Sequence, residues 1–178
     1  MVGSAWQPEW DAARAAWRKG QRAIVVPHEW TAEGIANEAS RWEAMGARPV
    51  VWSAHRGEDT RAELGEGDVL IVDAMGELLD TYALADVVVV GGGFGNGVHN
   101  TLEPAAHGKR ILVGPNVERF AEVAALRATD ALSVCDSPSA LREAIQTALQ
   151  DVEATQRAGA KAVSYTHLTL PTTPVVLV

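Results

Sequence analysis

The sequence predicts an α/β fold, a Rossmann-like open parallel sheet with helices on both faces. Three observations carry that expectation. Short, continuously apolar runs rich in Val and Ile alternate with longer amphipathic stretches along the chain. The runs lack the polar alternation of a strand with one wet face, so both faces are expected to be covered. A segment with five glycines in seven positions, residues 91–97, directly follows one of these runs and directly precedes a helical stretch. Strand-helix alternation of this kind returns the chain to one sheet through right-handed crossovers.

The elements follow in order. Only Met1 to Ser4 precede the first helical period at 8–18, yet a strand-helix-strand unit requires a strand there, so the chain is expected to begin inside one. The remaining strands are expected at 23–26, 49–52, 69–73, 87–91, 111–114 and 132–135, with helices at 31–45, 77–84, 101–108, 118–128 and 138–150 between or after them. All six tryptophans lie between positions 6 and 52. Trp6, Trp10 and Trp17 recur at helical spacing, which fits a core-facing stripe or, since large amphipathic rings favour partly buried contacts, an interface with a further domain. From Val163 the character changes: 16 residues hold no acid, two prolines and four threonines. The string SYTHLTLPT there resembles translated adapter sequence, so the domain is expected over 1–162, with 163–178 either a non-family tail or a terminal β-type segment whose Val and Leu could pack.

At 178 residues the chain can bury one core but not two of ordinary size. Fifteen basic against twenty-three acidic residues leave a net charge of -8, with no basic cluster to work against a nucleic-acid backbone. No nucleic-acid partner is expected. Cys135 is the single cysteine, and His28, His55, His99, His107 and His167 fall in separate segments, so neither a disulfide nor a metal site can be read from spacing. No apolar run approaches the roughly 18 residues of a spanning helix. A reducing cytoplasm fits this composition.

The glycine segment suits a phosphate lying against main-chain N–H groups at a helix start, because glycines remove the Cβ atoms that would hold a ligand away. Two other phosphate motifs fail. A GxGxxG pattern needs glycine at Asn96 or Val98, and Gly108-Lys109 is followed by Arg110, not Ser or Thr. Nicotinamide cofactors and ATP hydrolysis are thereby disfavoured, and no cofactor is expected. His99 can donate to a phosphate. Asn100 and Glu103 stand as Asn-x-x-Glu at a helix start, which fits either a capping box or ligand contact. A carboxylate one turn into that helix can accept both hydroxyls of a ribose. Three further strand ends carry polar residues toward the same edge: Gly3-Ser4, Pro27-His28-Glu29 and Asp73 to Leu78.

Taken together these segments resemble the C-terminal, donor-binding domain of the 3-deoxy-D-manno-octulosonic acid (Kdo) transferases, glycosyltransferases of the GT-B class. Gly3-Ser4 with Trp6 is similar to the family's Gly-Ser-Thr-Trp segment, Pro27-His28-Glu29 to its Pro-His-Glu or Pro-Arg-His segment, and Asp73 to Leu78 to its D-x-x-G-E-L. Residues 91–106 resemble its GG-x-n-GHN-x-LEPAA, and Gly114-Pro115-Asn116 with Phe120 its GP-x-n-F. The resemblance covers about residues 3–160. Ala5 stands in place of a Thr and Val98 in place of a frequent second Gly. The resemblance implies transfer of Kdo from CMP-Kdo to a hydroxyl of lipid A precursor, with inversion at the anomeric carbon, at the cytoplasmic face of the bacterial inner membrane. It implies a substrate site of Ser4, His28, Glu29, Gly76, Glu77, Gly92, Gly93, Gly95, His99, Asn100 and Glu103. Of these, Ser4, His28, Gly93, His99 and Asn100 fall on the phosphate and Kdo side, Glu103 on the ribose, and Glu77 at a turn near base or sugar. It places no catalytic residue in this chain: the general base, the acceptor site and the membrane contact belong to an N-terminal domain to which nothing here corresponds. The alternatives are a donor domain for a UDP-sugar and a non-catalytic α/β fragment.

Overall fold

One sheet of seven parallel strands organises the computed structural model, which describes residues 1–55, 64–74, 76 and 81–169. The strands are β1 (Val2–Ala5), β2 (Ala23–Pro27), β3 (Arg48–Val51), β4 (Asp68–Ile71), β5 (Val87–Val90), β6 (Arg110–Val113) and β7 (Leu132–Val134). Their order is β3-β4-β2-β1-β5-β6-β7. From β1 the chain runs outward to one edge and then crosses back to β5, so neighbouring β1 and β5 form the point where the winding reverses. In such sheets the ends of the central strands leave a crevice there.

The helices are α1 (Gln7–Ala16), α2 (Ala32–Ala44), α3 (Leu102–Ala106), α4 (Ala121–Ala128), α5 (Pro138–Gln150) and α6 (Val152–Thr169). The starts of α2 and α5 are encoded locally. The Thr31 hydroxyl accepts the Gly34 amide at 3.0 Å and the Ser137 hydroxyl the Ala140 amide at 3.1 Å, satisfying otherwise orphaned donors. Strand β5 shows why its run is unbroken Val: Val88 and Val90 enter one buried cluster with Ala105, Ile111, Val123 and Ala162, while Val87 and Val89 enter another with Ala12, Leu141 and Ile145. Both faces are covered, as the uniform apolarity predicts.

Three expectations need correction. The stripe of Trp6, Trp10 and Trp17 does not form: Trp17 is buried against Trp42, but Trp6 is 43% exposed, because it lies before the first turn of α1 at the sheet's carboxyl edge. Trp52 leaves β3 and opens a short 3₁₀ turn, Trp52–His55. The segment from 163 is not outside the fold throughout. Helix α6 runs on through Thr169, with Tyr165 packed on the core cluster of β5 and β6 and Thr166 buried. Asp151 opens this helix: its side chain accepts the Ala154 amide at 2.9 Å immediately after α5 ends. The expected helix at 77–84 falls mostly outside the described residues.

Charge is used inside the fold as well. Arg14 on α1 forms ion pairs with Glu38 on α2 and with Asp11; the Glu38 side chain is fully buried and the Arg14 side chain 10% exposed.

Candidate functional site

The carboxyl ends of β1, β2 and β5 meet at the crevice. Ser4 has φ of 50°, a left-handed value uncommon outside glycine, and the β1–β2 register shifts beside it. This turn brings the Ser4 carbonyl against Gly91: a Cβ on Gly91 would lie 2.1 Å from the Ser4 oxygen. Gly93 is equally constrained, with Gly114 backbone nitrogen 2.5 Å from where its Cβ would be. Crowding at these two glycines therefore comes from the protein's own strands and not from a ligand. At Gly95 the nearest atom to a Cβ would be the Gly92 carbonyl at 3.7 Å, so packing does not demand a glycine there.

Much of the loop's hydrogen bonding is internal. The Gly91 amide donates to Gly3, those of Gly95 and Gly97 to Gly92, that of Val98 to Asn116 and that of His99 to Gly91. The Gly92 amide donates to Glu9 Oε1 at 3.0 Å. The expectation that the loop amides as a set face a ligand is therefore corrected: most are satisfied by the fold. Among the described residues the amides of Gly93, Asn96 and Asn100 make no such bond, and that of Phe94 also turns toward Glu9.

Glu9 was not foreseen. It is fully buried at the third position of α1, and its other oxygen accepts the Trp6 amide at 3.2 Å. One side chain thus ties the start of α1 to the glycine loop 83 residues away. The signal was present as a Glu three residues after Trp6, the spacing of a helix-capping acid. Burial pushes the Glu9 carboxyl up, against the lowering effect of its backbone hydrogen bonds. A carboxyl raised by folding adds stability that is complete below its unfolded value of about 4.5. That contribution is lost as pH rises through the folded value. Glu9→Gln is expected to flatten this fall, measured as urea stability between about pH 4 and 7; equal slopes in both proteins would remove the assignment.

Three rings from three elements stack across the mouth. His28 lies between Trp6 and His99, with centroids 4.5 Å apart in each pair and interplanar angles of 28° and 25°. Burial, then repulsion from His28, lowers the His99 imidazole below its ordinary value, so at neutral pH it offers one neutral N–H donor. The rings and the loop line a cavity of about 390 Å³ that includes Glu9, Phe94 and Gly95.

The other expected residues separate. Asn100 takes the capping role: its Oδ1 accepts the Leu102 amide at 2.9 Å, and its Nδ2 donates to Glu103 Oε1 at 2.9 Å. Glu103 therefore reaches the Asn100 side chain and not its backbone amide, and it stays half-buried. Glu29 is exposed beside His28. Asp73, at the end of β4, accepts the Ser53 amide at 2.8 Å and hydroxyl at 2.5 Å, which fastens β4 to the turn after β3. Gly76 is exposed with φ of 86°, and Glu77 lies outside the described residues. Asn116 holds the loop from the β6 side, donating its backbone N–H to Gly93 at 2.9 Å and its side-chain amide to Gly95 at 2.6 Å.

Against known proteins, no family model matches the chain. The 3-deoxy-D-manno-octulosonic acid transferase of Chlamydia muridarum is 36% identical over 121 residues, 67% of this chain and 27% of that protein. Over that stretch the chain is similar in sequence to the Kdo transferases. The Bordetella pertussis Kdo transferase is 42% identical over 82 residues, 44% of this chain and 19% of that protein. The chain thus spans about a quarter or less of the Kdo transferases it matches. Its fold is that of the C-terminal CMP-Kdo binding domain of WaaA from Acinetobacter baumannii, with a TM-score of 0.71 at 24% identity, covering 92% of this chain and 86% of that one. None of the described helices is long and apolar enough to cross a membrane.

Proposed function

We propose that this chain is the donor-binding module of a Kdo transferase, holding CMP-Kdo while the sugar passes to lipid A precursor in lipopolysaccharide assembly. The observation that carries the reading is the meeting of Trp6, His28 and His99 at the crevice beside the glycine loop, in a chain similar in sequence to the Kdo transferases. In this reading the donor phosphate lies near Ser4, His28, His99 and the unpaired Gly93 amide, at the loop whose Gly95 leaves space. Asn100 orients Glu103, whose free oxygen takes the ribose hydroxyls. Glu29, Gly76, Glu77 and Gly92 complete the substrate set, Gly92 through its bond to Glu9. Charge builds on the phosphate as CMP departs, and each preorganised donor contributes about 2.7 to 4 kcal/mol at that step by analogy with oxyanion holes. The base that deprotonates the acceptor hydroxyl, the lipid contact and the membrane association at the inner face are supplied outside these residues, as in a GT-B enzyme with its cleft between two domains.

CMP is expected to raise the melting temperature, by about 2.7 kcal/mol of stabilisation at a hundredfold excess over Kd. Glu103→Ala is expected to weaken CMP about tenfold or more through loss of charge-assisted hydrogen bonds. Equal protection by UDP and CMP in thermal-shift titration would move the assignment to a UDP-sugar enzyme, and no shift with either would leave a non-catalytic α/β fragment.

A further inference from the structure

The tip of the glycine loop, residues 95–97, separates two clefts. On one side lies the ring-lined cavity of Trp6, His28 and His99; on the other lies a polar cleft of about 540 Å³ between the tip and the connection from β6 to α4. We infer that this second cleft seats the sugar-acid half of the donor, with Arg119 pairing with its carboxylate. The inference rests on the donor-binding reading above.

An octulosonic acid linked to CMP presents two anionic groups, a phosphate and a carboxylate, to a chain whose net charge is -8. A carboxylate held against that background calls for a fixed cation, and guanidinium matches it with two parallel N–H donors. No Lys or Arg lines the ring-walled cavity. Arg119 is the basic residue lining the polar cleft, and it is exposed. It takes part in none of the ion pairs among the described residues. The wall that carries it is tied to the glycine loop. Asn116 spends its backbone N–H on Gly93, its carbonyl on Val98 and its side-chain amide on Gly95, while Phe120 closes over Gly97 from the far side. Asn96 and Glu118 line the same cleft and can take sugar hydroxyls. The loop tip thus divides the ligand as the ligand's own chemistry divides: nucleotide against the rings, acid sugar against Arg119.

The test titrates CMP and CMP-Kdo calorimetrically into the parent chain, Arg119→Gln and Arg119→Lys. The parent is expected to prefer CMP-Kdo to CMP. Arg119→Gln is expected to weaken CMP-Kdo about tenfold or more while leaving CMP unchanged, and Arg119→Lys to recover part of the loss. Undiminished CMP-Kdo affinity in Arg119→Gln, with CMP still bound, overturns the subsite and leaves the donor reading standing. If the parent binds no CMP, the donor reading falls and the subsite with it.

Discussion

Replacing Arg14 with alanine is expected to destabilise the fold by about 3–5 kcal/mol, because it strands a buried charge. The Glu38 side chain has no exposed surface; without Arg14 its remaining cation is Arg41, at 3.8 Å and 51% exposed. Solvent screens the half-exposed Arg41, so it can offset only a small part of the loss. The carboxylate is then left desolvated without its near partner. Removing both partners is a different matter. Arg14→Met with Glu38→Leu fills similar volume without the desolvation penalty, and is expected to regain most of the stability, as buried pairs replaced by apolar groups often do. Urea unfolding of the two variants decides it: a single variant within about 0.5 kcal/mol of the parent, the range of an ordinary surface substitution, would show that the pair does not hold α1 on α2.

Gly91→Ala is expected to be the most damaging change at the crevice itself. The added methyl would lie 2.1 Å from the Ser4 carbonyl oxygen, 2.7 Å from its carbon and 3.0 Å from Ala5 Cα, all of them backbone atoms of the central strand. No side chain can swing aside. β1 and β5 must part at their carboxyl ends, which breaks the 2.8 Å bond from the Gly91 amide to Gly3. Overpacking contributes about 1–3 kcal/mol or more, and the lost buried bond about 1 kcal/mol. Gly95→Ala is the control, since its Cβ would meet nothing closer than 3.7 Å and its melting temperature should stay at the parent value. Equal melting of parent and Gly91→Ala would mean that these strand ends are looser than described.

The legible part of this protein was its layering. Runs such as Val87 to Val90 announce a strand covered on both faces, and Thr31 and Ser137 announce helix starts, because pattern and capping act over a few neighbouring residues. The site was legible as a neighbourhood: Ser4, His28 and His99 do lie at one crevice. Their arrangement was not legible. The Asn-x-x-Glu spacing left capping and ligand contact both open, and nothing in the spacing says that His28 is sandwiched between two rings or that Gly91 and Gly93 answer backbone crowding.

Glu9 marks the boundary most clearly. As a residue it is one acid in the first turn of a helix, and local sequence determines that much along with the fold class and the glycine-loop position. Its bond to Gly92, like the approach of Gly91 to Ser4 and the ring stack, joins segments far apart in the chain. Only the strand order that sets β1 beside β5 decides such contacts, since a hydrogen bond or a steric clash depends on distance in space and the sequence records only distance along the chain.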